Sequence, residues 1–226
     1  FSALLFGHGG RMLTEDERDI AFAGPEGLAS LTLLDRKVKV GGMANLSRDA
    51  AAQAFAAGKM GLFFWTTAMI RGSLQQVGRN FQLRTTGLPV NDTEKGRLPT
   101  GGAAGMLLTR EGAKREAAWK FLPFSTSAEG TTLMARNTGY VPTNQLAIDD
   151  DKYLGEFYRQ NPLYVPAVRQ MAISVPWYAF PGSNSVRVTQ SVVNNSGRIV
   201  EQRATPEQAL ADMASEVRRL LPRPRG

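Results

Sequence analysis

The chain has 226 residues, 42% of them hydrophobic and 21% charged, which is the composition of a folded globular protein with one large domain or two small ones. Because cysteine is absent and histidine occurs once, at His8, thiol chemistry, zinc ribbons and histidine-based catalytic triads are disfavoured. The net charge of +7 would suit nucleic acid, but the cations are scattered or gathered near the C-terminus, without interleaved aromatic residues. We therefore expect no nucleic-acid partner.

The first predicted elements are two helices and a buried strand. Pro25 opens a helix over residues 25–34, because proline is favoured at the first helical position. Ser47 caps a helix over residues 48–57, which Gly58 ends. The apolar run over residues 60–65 has the length of a strand and is far shorter than the roughly 18 residues of a membrane helix, so it predicts a buried strand.

The middle of the chain predicts a strand–helix–strand unit of the βαβ type. After the first strand, a turn at Thr66-Thr67 leads into a short helix through about Val77, and residues 81–84 form the next strand. Beyond a polar loop and Gly101-Gly102, residues 106–108 predict a further strand.

The second half predicts mainly helices. An apolar stripe favours a helix over residues 113–121, and Ser127 caps a short helix that ends near Gly139. Residues 140–185 have irregular spacing, which is typical of loops and short helices. Thr205-Pro206, followed by a glutamine three residues after the cap, begins a final amphipathic helix.

One histidine loop and two acidic clusters could be mistaken for functional sites. His8 lacks the preceding strand and following helix that a phosphate-binding loop requires, so we interpret it as part of a turn. Residues 15–17 and 149–151 lack the alternating oxygen ligands and the glycine of a calcium loop. We expect exposed turns there, and neither a metal site nor a cofactor.

Three other features have a functional and a purely structural interpretation. Thr66 begins a helix, where backbone N–H groups favour polar ligand atoms, but a plain N-cap explains it as well. Gly101-Gly102 permits close approach of a ligand to the backbone, as a tight turn also would. Tyr140 and Trp177-Tyr178 lie in loop-like sequence, and such rings either fill space beneath a loop or line a pocket.

A series of motifs joins these features in a recognisable order. The motifs are Phe55-Ala-Ala-Gly58-Lys, Gly87-Leu-Pro89, Gly101-Gly102, Ala117-Ala-Trp-Lys-Phe121-Leu, Asn137-Thr-Gly-Tyr140-Val-Pro142, Phe157-Tyr-Arg-Gln-Asn-Pro162 and Thr205-Pro-Glu-Gln-Ala-Leu210. Each motif is weak alone. Their order and spacing, over about residues 1–221, resemble the extracellular solute-binding proteins of ABC importers, family 1, and most closely the glycerol-3-phosphate-binding branch.

The resemblance implies an α/β fold of the type II periplasmic-binding-protein kind. Residues 1–99 and 140–226 would belong to the C-terminal lobe, and residues 100–139 would cross the hinge and pack on the N-terminal lobe. Members of the family are longer, with a signal sequence and a first lobe. The opening FSALLFGHGG, which has no initiator Met and no cleavage signal, fits the expectation that this chain is a fragment or a processed piece.

The resemblance also implies ligand contacts at Thr66, Gly102, Tyr140 and an arginine position. Ungapped counting places that last position on Thr189, and a two-residue shift places it on Arg187. We choose Arg187, because a phosphate calls for a bidentate cation. Since the first lobe would supply the other half of the cleft, we expect the isolated chain to bind ligand weakly or not at all.

The function implied is that of the substrate-binding component of an ABC importer. Its ligand would be glycerol-3-phosphate, a glycerophosphodiester or a related sugar or polyol, and its protein partners the membrane subunits of an ABC permease. It would act as a monomer, in the periplasm or as a lipid-anchored extracellular protein. An enzyme is disfavoured, because the acidic residues lie in turns and on helix surfaces instead of forming a catalytic carboxylate pair. A sugar-binding protein without phosphate recognition and a non-catalytic interaction scaffold remain alternatives.

Overall fold

The computed structural model describes residues 1–101 and 112–222. This part of the chain is mainly helical, with two short strands and three 3₁₀ turns. In chain order the elements are α1 (Ser2–Gly7), α2 (Pro25–Lys39), α3 (Arg48–Ala56), a 3₁₀ turn (Thr67–Met69), α4 (Ile70–Val77), β1 (Leu98–Thr100), α5 (Gly112–Thr126), α6 (Ala128–Thr138), α7 (Gln145–Asp149), α8 (Gly155–Gln160), a 3₁₀ turn (Pro162–Tyr164), α9 (Val165–Arg169), a 3₁₀ turn (Gln170–Ile173), β2 (Ser174–Pro176), α10 (Ser185–Val200) and α11 (Pro206–Leu220).

The helix ends are where the capping residues predict them. The Ser47 hydroxyl accepts a hydrogen bond from the Ala50 amide at 3.3 Å and begins α3. Ser127 begins α6 in the same way, and Thr205 begins α11 with a complete capping box. Two helices are longer than predicted: α2 runs on to Lys39, with basic residues in its last turn that suit the helix dipole, and α5 continues through a proline to Thr126.

The predicted strands over residues 60–65 and 81–84 are wrong for the described structure. Neither segment pairs with a described neighbour, so of the βαβ-like unit only the helical part is present. In the described structure the apolar run leaves Leu62, Phe64 and Trp65 exposed. The predicted strand over residues 106–108 lies outside the described residues.

The two strands that do form are short and parallel. Leu98 pairs with Ser174 and Thr100 with Pro176. The pairing continues one step further, since the Trp177 amide donates to the Thr100 carbonyl at 3.1 Å. This ladder fixes where the chain emerges from β2.

Contacts divide the chain into two compact units. The first unit comprises Phe1–Leu46, Pro89–Gly101 and Ile173–Gly226, and the second comprises Ser47–Leu88 and Gly102–Ala172. The assignment of residues 1–99 and 140–226 to the C-terminal lobe, and of residues 100–139 to the N-terminal lobe, stays a prediction.

The first unit has a substantial apolar core. Helices α2, α10 and α11 pack together and bury Leu31, Val188, Met213 and Val217, with Phe22 at the start of the same cluster. The predicted amphipathic face of α11 is thus confirmed. Among the described residues, the buried apolar cluster of the second unit is smaller and consists of three alanines and one leucine, Ala128, Ala135, Ala147 and Leu154, while Ile70 and Val77 are buried outside it.

Candidate functional site

Thr66 lies at the point where the exposed apolar run turns into helix. Its extended backbone is typical of an N-cap, and its hydroxyl oxygen accepts a hydrogen bond from the Ala68 amide at 3.4 Å. The Thr66 carbonyl accepts from the Met69 amide at 3.1 Å, which closes the 3₁₀ turn that leads into α4. Thr66 is exposed, so its hydroxyl can meet a ligand while it caps the turn.

Tyr140 follows the end of α6. Gly139 terminates this helix in the left-handed conformation, with φ of 75°, and the Tyr140 amide then donates to the Thr138 hydroxyl at 3.2 Å. The tyrosine side chain is 38% exposed. Its ring is therefore available at the surface of the second unit.

Gly139 brings these two predicted residues together. A Cβ atom at Gly139 would lie 2.8 Å from the Thr67 carbonyl oxygen and 3.2 Å from Cε1 of Tyr164. Only glycine fits this close approach, and its positive φ requires glycine independently. Since Thr67 and Gly139 are the chain neighbours of Thr66 and Tyr140, the contact places the capping hydroxyl and the tyrosine in one region of the second unit.

An aromatic cluster adjoins Thr66 along the chain. Trp65 stacks on Phe63 with ring centroids 5.4 Å apart, and Phe63 contacts Phe55, which in turn meets Phe81 edge-on. Beside the cluster lies a concavity of about 510 Å³, formed by residues on either side of Gly58 and by the segment that follows Asn80. Trp65 remains 43% exposed. The sequence prediction missed Trp65 as a contact candidate because it placed this residue in a buried strand.

The segment after Phe81 is held by side-chain hydrogen bonds within the second unit. The Thr85 hydroxyl donates to the Leu163 carbonyl at 2.6 Å. The Gln170 amide group both accepts from the Leu88 N–H and donates to the Leu88 carbonyl, each at 2.8 Å. The concavity is thus bounded by anchored backbone.

Arg187 and Thr189 both lie on the exposed side of α10, in the first unit. The Thr189 hydroxyl donates to the Ser185 carbonyl at 3.0 Å, whereas Arg187 has one long hydrogen bond of 3.5 Å to the side chain of Asn184. Among the described residues no carboxylate pairs with Arg187. Its guanidinium therefore keeps most of its donors for an external acceptor. The fourth predicted contact, Gly102, lies outside the described residues.

The other predicted features have simpler outcomes. Residues 15–17 and 149–151 are largely exposed turns or helix ends, and no group of three potential metal ligands occurs in residues 1–101 and 112–222. Trp177 and Tyr178 differ: Tyr178 packs against the core of the first unit, and Trp177 is exposed and lines a concavity. None of the described helices is long and apolar enough to cross a membrane.

Comparison with known proteins identifies the family. A family model for bacterial extracellular solute-binding proteins matches residues 1–163. No curated protein matches the chain. Among solved structures, the chain is similar to a cyclic α-maltosyl-1,6-maltose binding protein from Arthrobacter globiformis, with 21% identity and a TM-score of 0.78 over 97% of this chain and 54% of that one.

Two further solved structures agree on the fold. UgpB from Mycobacterium tuberculosis in complex with glycerophosphocholine is 19% identical, with a TM-score of 0.77 over 97% of this chain and 55% of that one. The GacH receptor of Streptomyces glaucescens, solved unliganded and with acarbose, is 16% identical, with a TM-score of 0.70 over 96% and 55%. The chain thus spans about half the length of these proteins.

These similarities confirm the predicted fold class, of which this chain contains a part. Because the family is defined by solute binding, the expectation that the chain is not an enzyme is confirmed at the level of the family. The family match covers well over half of the chain. The chain belongs to the bacterial extracellular solute-binding proteins.

Proposed function

We propose that the chain is part of the substrate-binding component of an ABC importer that takes up glycerol-3-phosphate, a glycerophosphodiester or a related sugar or polyol. The observation that carries this proposal is the contact at Gly139, which places Thr66 and Tyr140 in one region. An exposed hydroxyl and an exposed phenol suit a polyhydroxylated ligand, because hydroxyl groups both donate and accept hydrogen bonds. Gly102 would add a backbone contact.

Among the predicted contact residues, Arg187 is the one whose chemistry suits an anionic ligand group. An arginine without a carboxylate partner favours a phosphate oxygen pair, since the planar guanidinium binds two oxygens at once. The similar UgpB structure holds glycerophosphocholine, which is a phosphodiester. Thr189, whose hydroxyl already donates within its own helix, is the weaker candidate for this role.

A neutral sugar is the second candidate ligand. The exposed Trp65 beside Thr66 offers an aromatic surface of the kind that packs against a sugar ring. Similar solved structures include binding proteins for cyclic α-maltosyl-1,6-maltose and maltose. In this case Arg187 would have no phosphate to bind.

The proposal extends to a second lobe beyond this chain. Helix α5 buries none of its residues and exposes three large aromatic side chains on different sides, Trp119, Phe121 and Phe124, which is more apolar surface than a helix usually leaves open. We propose that residues 100–139 pack on the first lobe of a two-lobed receptor, which closes on its ligand by hinge bending and delivers it to the permease. The receptor would be a periplasmic or lipid-anchored extracellular monomer.

A ligand panel on the full-length natural protein tests the proposal. Thermal shift and calorimetry with glycerol-3-phosphate, glycerophosphocholine, maltose and trehalose should give at least one stabilising ligand and no turnover. Tyr140→Ala should weaken binding about tenfold or more, and Tyr140→Phe separates the loss of the ring from the loss of the hydroxyl.

The arginine position is tested in the same assay. Arg187→Ala should weaken a phosphate ligand by about ten- to a hundredfold, as expected for a charge-assisted hydrogen bond, while Thr189→Ala, on the same helix, serves as the matched control. If only neutral sugars stabilise the protein, the phosphate role of Arg187 is wrong. A protein indifferent to every ligand and to both Tyr140 variants would instead be a scaffold.

A further inference from the structure

A concavity of about 400 Å³ lies wholly within the first unit and has no part in the site proposed above. Its volume falls in the roughly 300–1,000 Å³ range of small-molecule sites. The lining combines a partly apolar base, one tryptophan and a charged rim. The residues that matter are Phe6, Met12, Trp177, Arg11, Glu15 and Glu17.

The loop over residues 13–20 lines one side of this concavity, and we call it the braced loop because hydrogen bonds join its two ends. Leu13 and Ile20 form an antiparallel bridge, and the Thr14 amide donates to the Asp19 carbonyl at 2.8 Å. Both bridge residues are buried, as is Met12, so the loop is anchored to the core at its two ends. At its turn Glu17 has a left-handed backbone, with φ of 56°, a conformation that is uncommon for residues other than glycine. The Glu17 carboxylate in turn accepts a hydrogen bond from the Tyr178 hydroxyl.

Trp177 is exposed at the end of a strand that leaves it little freedom. Its amide extends the β1–β2 pairing, and the next residue, Tyr178, packs edge-on against Phe180 in the core. The indole nevertheless remains 59% exposed. Among the described residues it has neither a ring contact nor a hydrogen-bond partner. A large apolar ring held at a concave surface in this way has contact area to offer a ligand.

The rim offers both donors and acceptors of hydrogen bonds. Arg11 donates to the Glu15 carboxylate at 2.7 Å, and the Tyr178 hydroxyl donates to the Glu17 carboxylate at 3.2 Å. Burial first, and then the negative charge of Glu17, raises the pKa of Tyr178 to about 12, so the phenol remains a donor at neutral pH. Each carboxylate oxygen pair keeps further acceptor capacity, and the guanidinium keeps further donors.

We propose that this concavity binds one ring of a neutral saccharide, which packs on Trp177 while its hydroxyls bond to Arg11, Glu15 and Glu17. The inference rests on the proposed function, since it assumes that the protein meets sugars, but it uses none of the residues of that site. A saccharide has an apolar ring face and hydroxyls that donate and accept, so it matches every group present. Arg11 and Glu15 largely neutralise each other in their ion pair, and the remaining carboxylate of Glu17 disfavours a phosphate, so the rim suits a ligand whose groups both donate and accept hydrogen bonds.

Ligand-observed NMR with maltose on the 226-residue chain tests this assignment. Wild type should show saturable binding that Trp177→Ala weakens about tenfold, the size expected for loss of one aromatic contact. Trp119→Ala removes a similarly exposed tryptophan of the second unit and is the matched control, which should bind like wild type. Glu17→Gln keeps the shape of the rim and should weaken binding by a smaller factor, which covers the case that Trp177→Ala fails to fold.

Three results would overturn the inference. The first is maltose affinity that neither Trp177→Ala nor Glu17→Gln changes. The second is maltose binding that disappears in Tyr140→Ala, because the sugar would then occupy the Thr66–Tyr140 region and support the proposed function alone. The third is choline or glycerol-3-phosphate that displaces maltose from the Trp177 concavity, because that would mean a site selective for charge.

Discussion

The two units differ in whether they contain fully buried aromatic side chains among the described residues. In the first unit Phe22 is completely buried and Phe180 nearly so, within a core that three long helices share. In the second unit Trp119 and Phe121 are exposed, and the described core consists of small alanines around Leu154. Since burial of apolar surface is the main stabilising term in folding, the first unit should hold most of the intrinsic stability.

The difference suggests that the residues that stabilise the fold and the residues that bind ligands or other segments lie mainly in different units. Exposed apolar surface costs little in folding but marks a place where a ligand or another protein segment binds. The Thr66–Tyr140 region and the exposed aromatic residues of α5 both belong to the second unit, whose buried apolar cluster is the smaller one among the described residues. Regions that bind and move are commonly drawn from the less stable parts of a structure.

The largest expected effect comes from a matched pair of phenylalanines, one from each unit. Phe22→Ala removes a fully buried ring that also packs edge-on against Phe1, so we expect a loss of about 3–5 kcal/mol in the free energy of unfolding. Phe121→Ala removes a ring that is 63% exposed and should change stability by less than about 0.5 kcal/mol. Urea unfolding followed by circular dichroism measures both. Equal losses would contradict the contrast between the units.

A smaller effect is expected from the helix caps. Thr205→Ala breaks the capping box of α11 in the first unit, and Ser127→Ala removes the cap of α6 in the second; each should cost about 1 kcal/mol locally. Hydrogen exchange read by mass spectrometry locates the loss. We expect Ser127→Ala to speed exchange in α6 alone. Faster exchange in α11 as well would mean that the second unit does not open independently.

Local signals predicted the helices well. Ser47, Ser127 and Thr205 each accept a hydrogen bond from the backbone amide three residues further on, so a short stretch of adjacent residues determines where the helix begins. The strand predicted over residues 60–65 depended on partners distant in the sequence, which periodicity cannot supply. The apolar composition of this segment was recognised correctly, but the described structure has no strand over these residues.

The candidate site shows the same limit. Thr66 and Tyr140 came from motif positions, and nothing in the sequence spacing indicates that Gly139 packs against Thr67. Trp65 was missed because the sequence placed it in a buried strand, whereas it is 43% exposed. For Trp177 and Tyr178 the sequence left two interpretations open, and each residue fulfils one of them: the tyrosine packs against the core, and the tryptophan lines a concavity.

The smallest expected effect concerns one ion pair in each unit. In the first, a hydrogen bond from Arg218 at 2.9 Å and then one from the Ile20 amide lower the pKa of Asp19 below its ordinary 3.8. In the second, Arg159 likewise lowers the pKa of Asp151. A carboxyl group with a lowered pKa when folded binds protons more weakly than when unfolded, so its contribution is complete above the ordinary value and is lost as the pH falls below it.

Both pairs are exposed, so the effects should be small and should shrink as salt is added. Stability measured by urea unfolding from pH 6 to pH 2 should therefore fall less steeply at acid pH in Asp19→Asn than in wild type. Asp19 also receives a backbone hydrogen bond on the braced loop of the first unit, whereas Asp151 has only its arginine partner. Asp151→Asn should therefore reduce the pH dependence of stability less than Asp19→Asn does. A larger effect of Asp151→Asn would mean that the backbone hydrogen bond to Asp19 adds nothing.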